Sequence, residues 1–237
     1  MQARGSGPVL AIDSAGPCPG LALADGQRLL AERYPEAGAG KNEALVACLA
    51  ALFEQCAVAP AELAGIGVAV GPGSYTGLRV GLALARGLAL ADELPAFGLG
   101  SLELLMVSWL AVRPGSAGSG DGTGLLAASD AGGSRAYVAR FGPAGGSQEG
   151  EPELVEKAGL ADLLAREGRS LVAEAGVLDK TTGLGGSRAP ERRAGYLALE
   201  TVRGLAQGQA VGAASLMPVY AGQPGARPNS ERVRVSS

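Results

Sequence analysis

The segment from Gly65 to Ala91 constrains the fold more than any other part of this 237-residue chain. It begins with a short apolar stretch, Ile66–Val70, which predicts a buried strand. A Gly-rich turn follows at Gly71–Gly77, and then small and apolar residues continue at helical spacing through Leu78–Ala91. A stripe of glycine and alanine at steps of four occupies one face of this predicted helix, and leucines cover the others. A helix that is apolar all round must be buried on more than one side, so the segment indicates a layered α/β core.

Further strands and helices are predicted on both sides of this segment. In the first half they are strands at Pro8–Asp13, Leu21–Ala24, Gln27–Tyr34 and Ala96–Leu99, with helices at Asn42–Cys56 and Ser101–Val112. The second and third strands are joined at Asp25-Gly26, a hairpin signal because a type I′ turn needs positive φ at both central residues. In the second half they are strands at Leu125–Ser129, Arg135–Phe141 and Leu171–Ala175, with helices near Leu160–Glu167 and Pro190–Gln207.

This order of elements predicts two α/β lobes with mixed sheets. The first lobe is expected over residues 1–112, joined by the helix near 190–207, and a smaller second lobe over 125–189. The Gly/Ser-rich stretch Pro114–Gly124 is interpreted as a flexible link, and residues 222–237 as a loose tail. Each half begins with strand, acid, turn and strand, which suggests a duplicated lobe.

Composition excludes several kinds of chemistry. The chain has no histidine, which removes His-based acid/base catalysis, Ser-His-Asp and Cys-His nucleophiles, and His-containing metal sites. Its net charge of −3 argues against nucleic-acid or anionic-membrane binding by this chain alone. Three cysteines without CxxC spacing are typical of reduced thiols. With neither a signal peptide nor a long apolar run, a cytoplasmic protein without membrane association is expected. We also expect the chain to hold no metal and no cofactor of its own.

The Gly-rich turn has two interpretations. A strand, a Gly-rich turn and a helix N-terminus together can bind an anion, because the first N–H groups of a helix have no partner within it. The alternative, which we favour, is a tight turn in which Ser74 or Thr76 caps the helix. The turn lacks the Lys of a phosphate-binding P-loop, and its glycine spacing only loosely matches a dinucleotide fingerprint. The candidate anion-binding residues are Gly71, Gly73, Ser74, Thr76, Gly77 and Arg79.

The helices at Asn42–Cys56 and Leu78–Ala91 have apolar residues on more faces than one sheet needs. We therefore expect the helix pair to dock onto a partner polypeptide, although both helices packing only against their own sheet remains the alternative. On this hypothesis, Leu82→Asp or Ala85→Glu abolishes partner binding while the chain stays folded. The candidate interface residues are Leu45, Leu49, Leu52, Phe53, Leu78, Gly81, Leu82, Ala85 and Ala89.

Other polar residues give weaker signals. Asp13 ends one predicted strand and Asp130 follows another, each shortly before a glycine, as in the phosphate loops of actin-like ATPases and sugar kinases, but an acid capping a turn is the commoner explanation. The arginines at 188, 192 and 193 could contact phosphate, but a solvated helix face is the favoured expectation for all three, Arg193 included. Trp109 is expected in the core. Cys18 has no neighbouring base, so a nucleophilic role is not expected.

The segment Gly71–Ala91 resembles the signature of the TsaB family of bacterial tRNA threonylcarbamoyladenosine biosynthesis proteins, which are glycoprotease-like (peptidase family M22) homologues. Weaker matches occur elsewhere in the chain, at Leu10–Asp13, Asn42–Leu45, Asp130-Ala131 with Tyr137, and Pro218–Tyr220. The sequence departs from the family pattern at Lys41, where many relatives have histidine, and at Gly132 and Arg135.

The resemblance implies a two-lobed actin-like ATPase fold (ASKHA, RNase H-like) without catalysis. It implies a scaffold subunit that binds TsaD together with TsaE, pairs with a second copy when alone, and meets tRNA only through that complex. Whether a nucleotide sits at the partner interface is left open. Two other functions remain open: an actin-like ATPase or kinase that uses Asp13 and Asp130, and a dinucleotide-binding module that uses Gly71, Gly73 and Gly77.

Overall fold

The computed structural model describes residues 7–36, 43–90, 93–113, 123–178 and 186–221. Most of the predicted link at 114–124, the predicted tail at 222–237, and Lys41 with Asn42 lie outside these ranges. The strands are β1 (Val9–Asp13), β2 (Gly20–Asp25), β3 (Arg28–Arg33), β4 (Gly65–Gly71), β5 (Pro95–Gly100), β6 (Leu125–Asp130), β7 (Arg135–Phe141), β8 (Gln148–Glu156), β9 (Ser170–Ala173), β10 (Ser187–Arg188) and β11 (Val211–Gly212). The helices are α1 (Glu43–Cys56), α2 (Tyr75–Leu90), α3 (Ser101–Val112), α4 (Leu160–Glu167) and α5 (Ala194–Ala206).

Two mixed sheets repeat one topology. The first has the strand order β11-β5-β4-β1-β2-β3, and the second has β10-β9-β6-β7-β8. In each, three antiparallel strands in sequence order (β1-β2-β3, β6-β7-β8) are followed by a strand parallel to the first of them, β4 or β9. A second parallel strand, β5 or β10, completes the pattern. The predicted fold class, α/β with mixed sheets flanked by helices, is confirmed, and the two halves share the topology that their matching strand–acid–turn openings suggested.

The first sheet has one face of large residues and one of small residues. Along β1 and β2 the side chains alternate between leucine or isoleucine on the face covered by α1 and α2, and mostly alanine on the face covered by α5. On the α5 face, a Cβ at Gly67 would overlap the side chain of Thr201, and one at Gly65 would overlap Leu205. Small residues on β4 therefore let α5 pack directly against the strand backbone, as a close helix–sheet contact requires.

Helix α3 connects the two sheets. Leu102, Leu105, Met106 and Trp109 form a buried cluster with the inner face of the second sheet, while Leu104 packs with residues of the first sheet and α5. The prediction that Trp109 is a core residue is confirmed. Helix α4 covers the opposite face of the second sheet. Helix α3 fills the space between the sheets. The carboxyl ends of β1 and β6 lie beside one shared cleft.

Several boundaries differ from the sequence-based prediction. Strand β8 was missed because its exposed, Glu-rich sequence lacks the alternation of a half-buried strand. Helix α5 begins at Ala194 rather than Pro190, after Arg193 in a non-helical conformation. The segment Pro218–Tyr220, which the family resemblance implies is a C-terminal strand, is not a strand, although the Val219 N–H donates to the Val70 carbonyl at 2.7 Å. All three cysteines are free thiols, and within the described ranges no helix is long and apolar enough to cross a membrane.

Candidate functional site

The glycines of the turn between β4 and α2 provide space for a neighbouring loop. A Cβ at Gly73 would overlap the Ala15 carbonyl oxygen, and one at Gly77 would overlap the Ser14 carbonyl oxygen. The Ser74 N–H also donates to the Ala15 carbonyl at 2.9 Å. The turn therefore packs backbone to backbone against the loop that follows β1. The close approach that a dinucleotide would make at these glycines is already made by the chain itself, which argues against the dinucleotide-binding alternative.

Ser74 caps helix α2. Its Oγ accepts a hydrogen bond from the Gly77 N–H at 3.2 Å, which is the N-cap arrangement expected from the sequence. Thr76 is exposed and is not needed for this cap. Arg79 is also exposed, and its guanidinium lies over the Tyr75 ring, 4.0 Å from the ring centroid. Anion binding by this turn remains a prediction, with the cap as the structural role that the geometry supports.

A fully buried ion triad lies at the base of the cleft. The Asp13 Oδ2 atom accepts from Arg193 Nε at 3.3 Å, and Glu174 Oε1 accepts from Arg193 Nη1 at 2.9 Å. All three side chains are inaccessible to solvent or nearly so. A Cβ at Gly16 would overlap the guanidinium, so the β1 loop closes over it. The expectation that Arg193 lies on a solvated helix face is wrong: this arginine connects β1 of the first lobe to the end of β9 in the second.

The opposite charges of the triad stabilise one another. Burial alone would lower the pKa of the Arg193 guanidinium, but the charges of Asp13 and Glu174, and hydrogen bonds to both, outweigh it and raise that pKa. The guanidinium therefore stays charged. An Asp13 carboxylate that is buried and held by a permanent cation is not available to a solvated metal or phosphate. The ATPase alternative thus loses the first of its two acids.

The second acid, Asp130, has a different environment. Its side chain is 38% exposed and forms an ion pair with Lys157 Nζ at 3.0 Å. Its Oδ1 accepts from the Gly132 N–H at 2.9 Å, so it caps the turn between β6 and β7. The Asp130 N–H donates to Glu174 Oε2 at 3.0 Å, which connects this turn to the buried triad. Of the two departures from the family pattern in this turn, Gly132 has φ +84° and Arg135 is exposed.

A cavity of about 430 Å³ lies between the two acidic loops. Its wall combines the Gly-rich turn, the β1 loop, the start of α3 and the β6–β7 turn. The lining residues with polar side chains are Ser74, Tyr75, Ser101, Ser129, Asp130, Tyr137, Glu174 and Arg193. Candidate residues from distant parts of the sequence, Ser74 and Asp130 among them, therefore line one cavity, whereas Asp13 is not among its lining residues.

Most of the predicted interface residues face inward instead. Those buried in the core of their own chain are Leu45, Leu49, Leu52, Leu78, Gly81, Leu82, Ala85 and Ala89, and Phe53 is half-buried. The physical reason for most of them is that the α1–α2 face of the first sheet carries large apolar side chains that these residues cover, whereas Leu78 packs in the cluster that includes α5. Leu82→Asp and Ala85→Glu would therefore place a charge in this core and destabilise the chain, instead of leaving it folded without its partner.

A different set of residues on the two helices faces solvent. Val46 is 57% exposed on α1, and Leu90 is 83% exposed on α2. Four further exposed positions carry small residues, Ala47 and Ala50 on α1 and Ala83 and Gly87 on α2, whereas Gln55, Tyr75 and Thr76 are exposed nearer the helix ends. The middle of the outer side of the helix pair is therefore largely apolar, and the exposed charged residues among the described side chains are Arg79 and Glu54.

Sequence reasoning missed Glu174 and the role of Arg193. The pairing of Asp13 with Arg193 spans 180 positions of the chain, and the short motif that contains Asp13 does not include Arg193. One signal was available: Arg193 immediately precedes a helix whose inner face is small and apolar, which does not fit a solvated position. The local pattern nevertheless gave no indication of which acid it would meet.

Comparison with known proteins gives sequence and fold similarities. A family model described as TsaD, tRNA N6-adenosine threonylcarbamoyltransferase, matches residues 35–149, just under half of the chain. The tRNA threonylcarbamoyladenosine biosynthesis protein TsaB of Bacillus subtilis strain 168 is 36% identical over 97 residues, covering 41% of this chain and 42% of the relative. The Escherichia coli K12 protein of the same name is 38% identical over 71 residues, covering 30% and 28%. The chain thus spans less than half the length of these curated relatives.

The similarity in fold extends further along the chain. YeaZ from Pseudomonas aeruginosa superposes with a TM-score of 0.70 at 19% identity, covering 90% of this chain and 99% of that one. At this identity the match shows the fold alone. Together with the sequence matches, it confirms the resemblance to TsaB that the Gly71–Ala91 segment indicated.

Proposed function

We propose that this TsaB-like chain is a non-catalytic cytoplasmic subunit in the biosynthesis of threonylcarbamoyladenosine, the modified adenosine next to the anticodon in tRNAs that read codons starting with A. In this role it binds and activates TsaD together with TsaE, and it meets tRNA only through that complex. The names of its curated relatives and the family model over residues 35–149 support the process. We also propose its two lobes as domains, residues 1–112 with the helix near 190–207, and residues 125–189.

The observation that carries the non-catalytic role is the buried triad. Phosphoryl transfer in a cleft of this kind needs carboxylates that hold a solvated metal ion against phosphate oxygens. Here Asp13 and Glu174 both hold the Arg193 guanidinium instead, at 3.3 and 2.9 Å. Arginine cannot give up its proton in a protein, so this cation is permanent. These two carboxylates are therefore engaged by the chain's own arginine and are not free to hold a metal ion.

We propose the outer side of α1 and α2 as the TsaD-binding surface, in place of the inward-facing residues expected from the sequence. Val46 and Ala50 on α1 lie one helical turn apart, as do Ala83 and Gly87 on α2, and all four are exposed. Small residues let another helix approach closely, and the exposed Leu90 supplies apolar area at one end. A second copy of the chain would use the same surface when TsaD is absent.

Co-purification with TsaD tests this surface. Ala50→Glu and Ala83→Glu each place a charge on an exposed helix position, where the intrinsic helix propensity changes little. Each variant should stay folded, lose TsaD and support no tRNA modification in a reconstituted assay. The matched control is Ala165→Glu, at an exposed position of α4 in the second lobe. This variant should retain both TsaD and tRNA modification.

The oligomeric state provides a second measurement. If a second copy uses the same surface, light scattering should show that Ala83→Glu converts a dimer to a monomer. Retention of TsaD by both variants, with unchanged modification, would place the partner surface elsewhere on the chain.

A further inference from the structure

Arg193 lies on a short connection through which the chain passes from the second lobe back to the first. Ala189 is buried in the cluster that α3 forms with the second sheet, and its N–H donates to the Ala173 carbonyl at 2.9 Å. Ala194 is buried among residues of the first sheet and α5. Only residues 190–193 lie between these two anchored positions. Motions between two lobes are absorbed by a few residues of such connections, so Arg193 occupies a hinge position.

The start of α5 is fixed to the first lobe. The Tyr34 hydroxyl, at the end of β3, accepts from the Ala194 N–H at 3.2 Å and donates to Glu32 Oε2 at 3.0 Å. A Cβ at Gly20 of β2 would overlap the Tyr34 ring, so this ring packs directly on the strand backbone. Because Ala194 directly follows Arg193, the arginine backbone moves with the first lobe.

The two acids that pair with Arg193 belong to different lobes. Asp13 ends β1 of the first sheet, and its Oδ2 atom lies 3.3 Å from Arg193 Nε. Glu174 follows β9 of the second sheet and accepts from Arg193 Nη1 at 2.9 Å. The Glu174 N–H donates to the Ala128 carbonyl, and its Oε2 atom accepts from the Asp130 N–H, both at 3.0 Å. The Glu174–Arg193 pair therefore joins a residue fixed in the second sheet to one fixed on the first.

This pair has a directional geometry that the packing of α3 does not supply. Apolar contacts of α3 hold the lobes together, but hydrophobic attraction has no preferred direction. Hydrogen bonds between a carboxylate and a planar guanidinium do have one. A rotation that separated Glu174 from Arg193 would leave a carboxylate without its cation in a buried place, which is costly. A Cβ at Gly16 would overlap Arg193 Nη2 and lie 3.6 Å from Glu174 Oε1, so the β1 loop covers the pair.

We propose that the Glu174–Arg193 ion pair is an interlobe lock, which holds the two lobes of the free chain at one angle. Asp13 has a different part, because it positions the guanidinium from within the first lobe. Buried ion pairs of this kind act by specifying one arrangement rather than by adding stability. The lock uses no residue on the outer side of α1 and α2, so it stands whether or not that surface binds TsaD.

NMR residual dipolar couplings of the weakly aligned full chain test the lock, because they report the alignment of each lobe separately. In the wild-type chain one alignment tensor should fit both lobes, with a ratio of the two alignment strengths of about 1. Glu174→Gln keeps the size of the side chain, but it removes the charge and can accept at only one of the two terminal atoms. Two tensors should then be needed, with a ratio of about 0.7 or below, the ratio of flexible to rigid order parameters.

Two further variants separate a lock from a general loss of stability. Asp13→Asn weakens the same buried site but keeps the pair between the lobes, so it should lower the thermal midpoint and retain one tensor. Gly16→Ala keeps both charges, and its methyl group displaces Arg193 from Glu174, so it should need two tensors. The proposal is overturned by two tensors in the wild-type chain, by two tensors in Asp13→Asn, or by a single tensor in both Glu174→Gln and Gly16→Ala.

Discussion

The two acidic loops occupy equivalent positions in the two lobes and yet have opposite environments. Asp13 ends β1 and Asp130 ends β6, the first strands of two sheets with the same topology. Asp13 is fully buried and paired with Arg193, whereas Asp130 is partly exposed and paired with Lys157. The repeated fold therefore does not repeat the chemistry, which depends on the partner that each acid meets.

The loop after Asp13 is enclosed by the chain, whereas the turn after Asp130 is open. The Asp13 loop is enclosed by the Gly-rich turn, whose Gly73 and Gly77 fit against its backbone. The Asp130 turn has no such cover, and a Cβ at Gly132 or Gly133 would meet nothing within 4 Å. One side of the cleft is thus enclosed by the chain and the other is open to solvent.

The largest expected effect comes from removing the central cation. Arg193→Met leaves Asp13 and Glu174 as buried charges without a partner and should lower the free energy of unfolding by about 3–5 kcal/mol. Lys157→Met, the matched change at the second acid, breaks a partly exposed pair and should cost less than about 1 kcal/mol. Urea unfolding of the two variants measures both losses. Equal losses would mean that the two acids do not differ as described.

Glycine substitutions compare how closely the backbone of the two loops is packed. In Gly77→Ala the new methyl group overlaps the Ser14 carbonyl oxygen, which belongs to backbone, so a loss of about 3 kcal/mol is expected. In Gly132→Ala the new methyl group has no atom within 4 Å, so the expected loss of stability comes only from the positive φ of +84° and is about 1 kcal/mol. Thermal unfolding measured by circular dichroism should place the Gly77 variant below the Gly132 variant, and the reverse order would contradict the packing of the two loops.

The smallest expected effect is at the surface of the second lobe, and it depends on pH. Hydrogen bonds from Arg140 hold the pKa of Glu167 below its ordinary value. The stability from this pair is therefore present above the unfolded glutamate pKa of about 4.3 and is lost as the pH falls through the lower folded pKa. The stability difference between wild type and Glu167→Gln, below about 1 kcal/mol, should be constant from about pH 7 to pH 5 and shrink below about pH 4. A difference that grows in acid would contradict the direction of this shift.

Much of the fold was predictable because its elements carry strong local patterns. The strand and helix of Gly65–Leu90 have clear apolar periodicity on either side of the Gly-rich turn. The predicted hairpin also forms, but its central residues are Gly26 and Gln27 rather than Asp25 and Gly26, and only Gly26 has a positive φ, so the expected type I′ turn at Asp25-Gly26 is wrong. Strand β8 was not predictable, since it is an exposed edge strand whose backbone pairing, rather than apolar burial, holds it in place.

The site was less predictable than the fold. The spacing of apolar residues correctly predicted that α1 and α2 are helices with apolar faces. It does not distinguish burial of those faces under the chain's own sheet from burial under a partner. Leu82 and Ala85 are the clearest case, because the first sheet already covers them. The Ser74 cap follows from neighbouring residues and was predicted, whereas the Asp13–Arg193 pair depends on a tertiary contact across most of the chain.

Titration of the isolated chain with ATP–Mg²⁺, with hydrolysis followed in the same samples, tests most directly whether the cleft is non-catalytic. We expect neither tight binding nor turnover, because Arg193 occupies the carboxylates that would otherwise hold the metal. Asp130→Asn, which alters only the exposed acid, should give the same result. Tight binding of ATP–Mg²⁺ with turnover that Asp130→Asn abolishes would contradict the account and make the chain an enzyme.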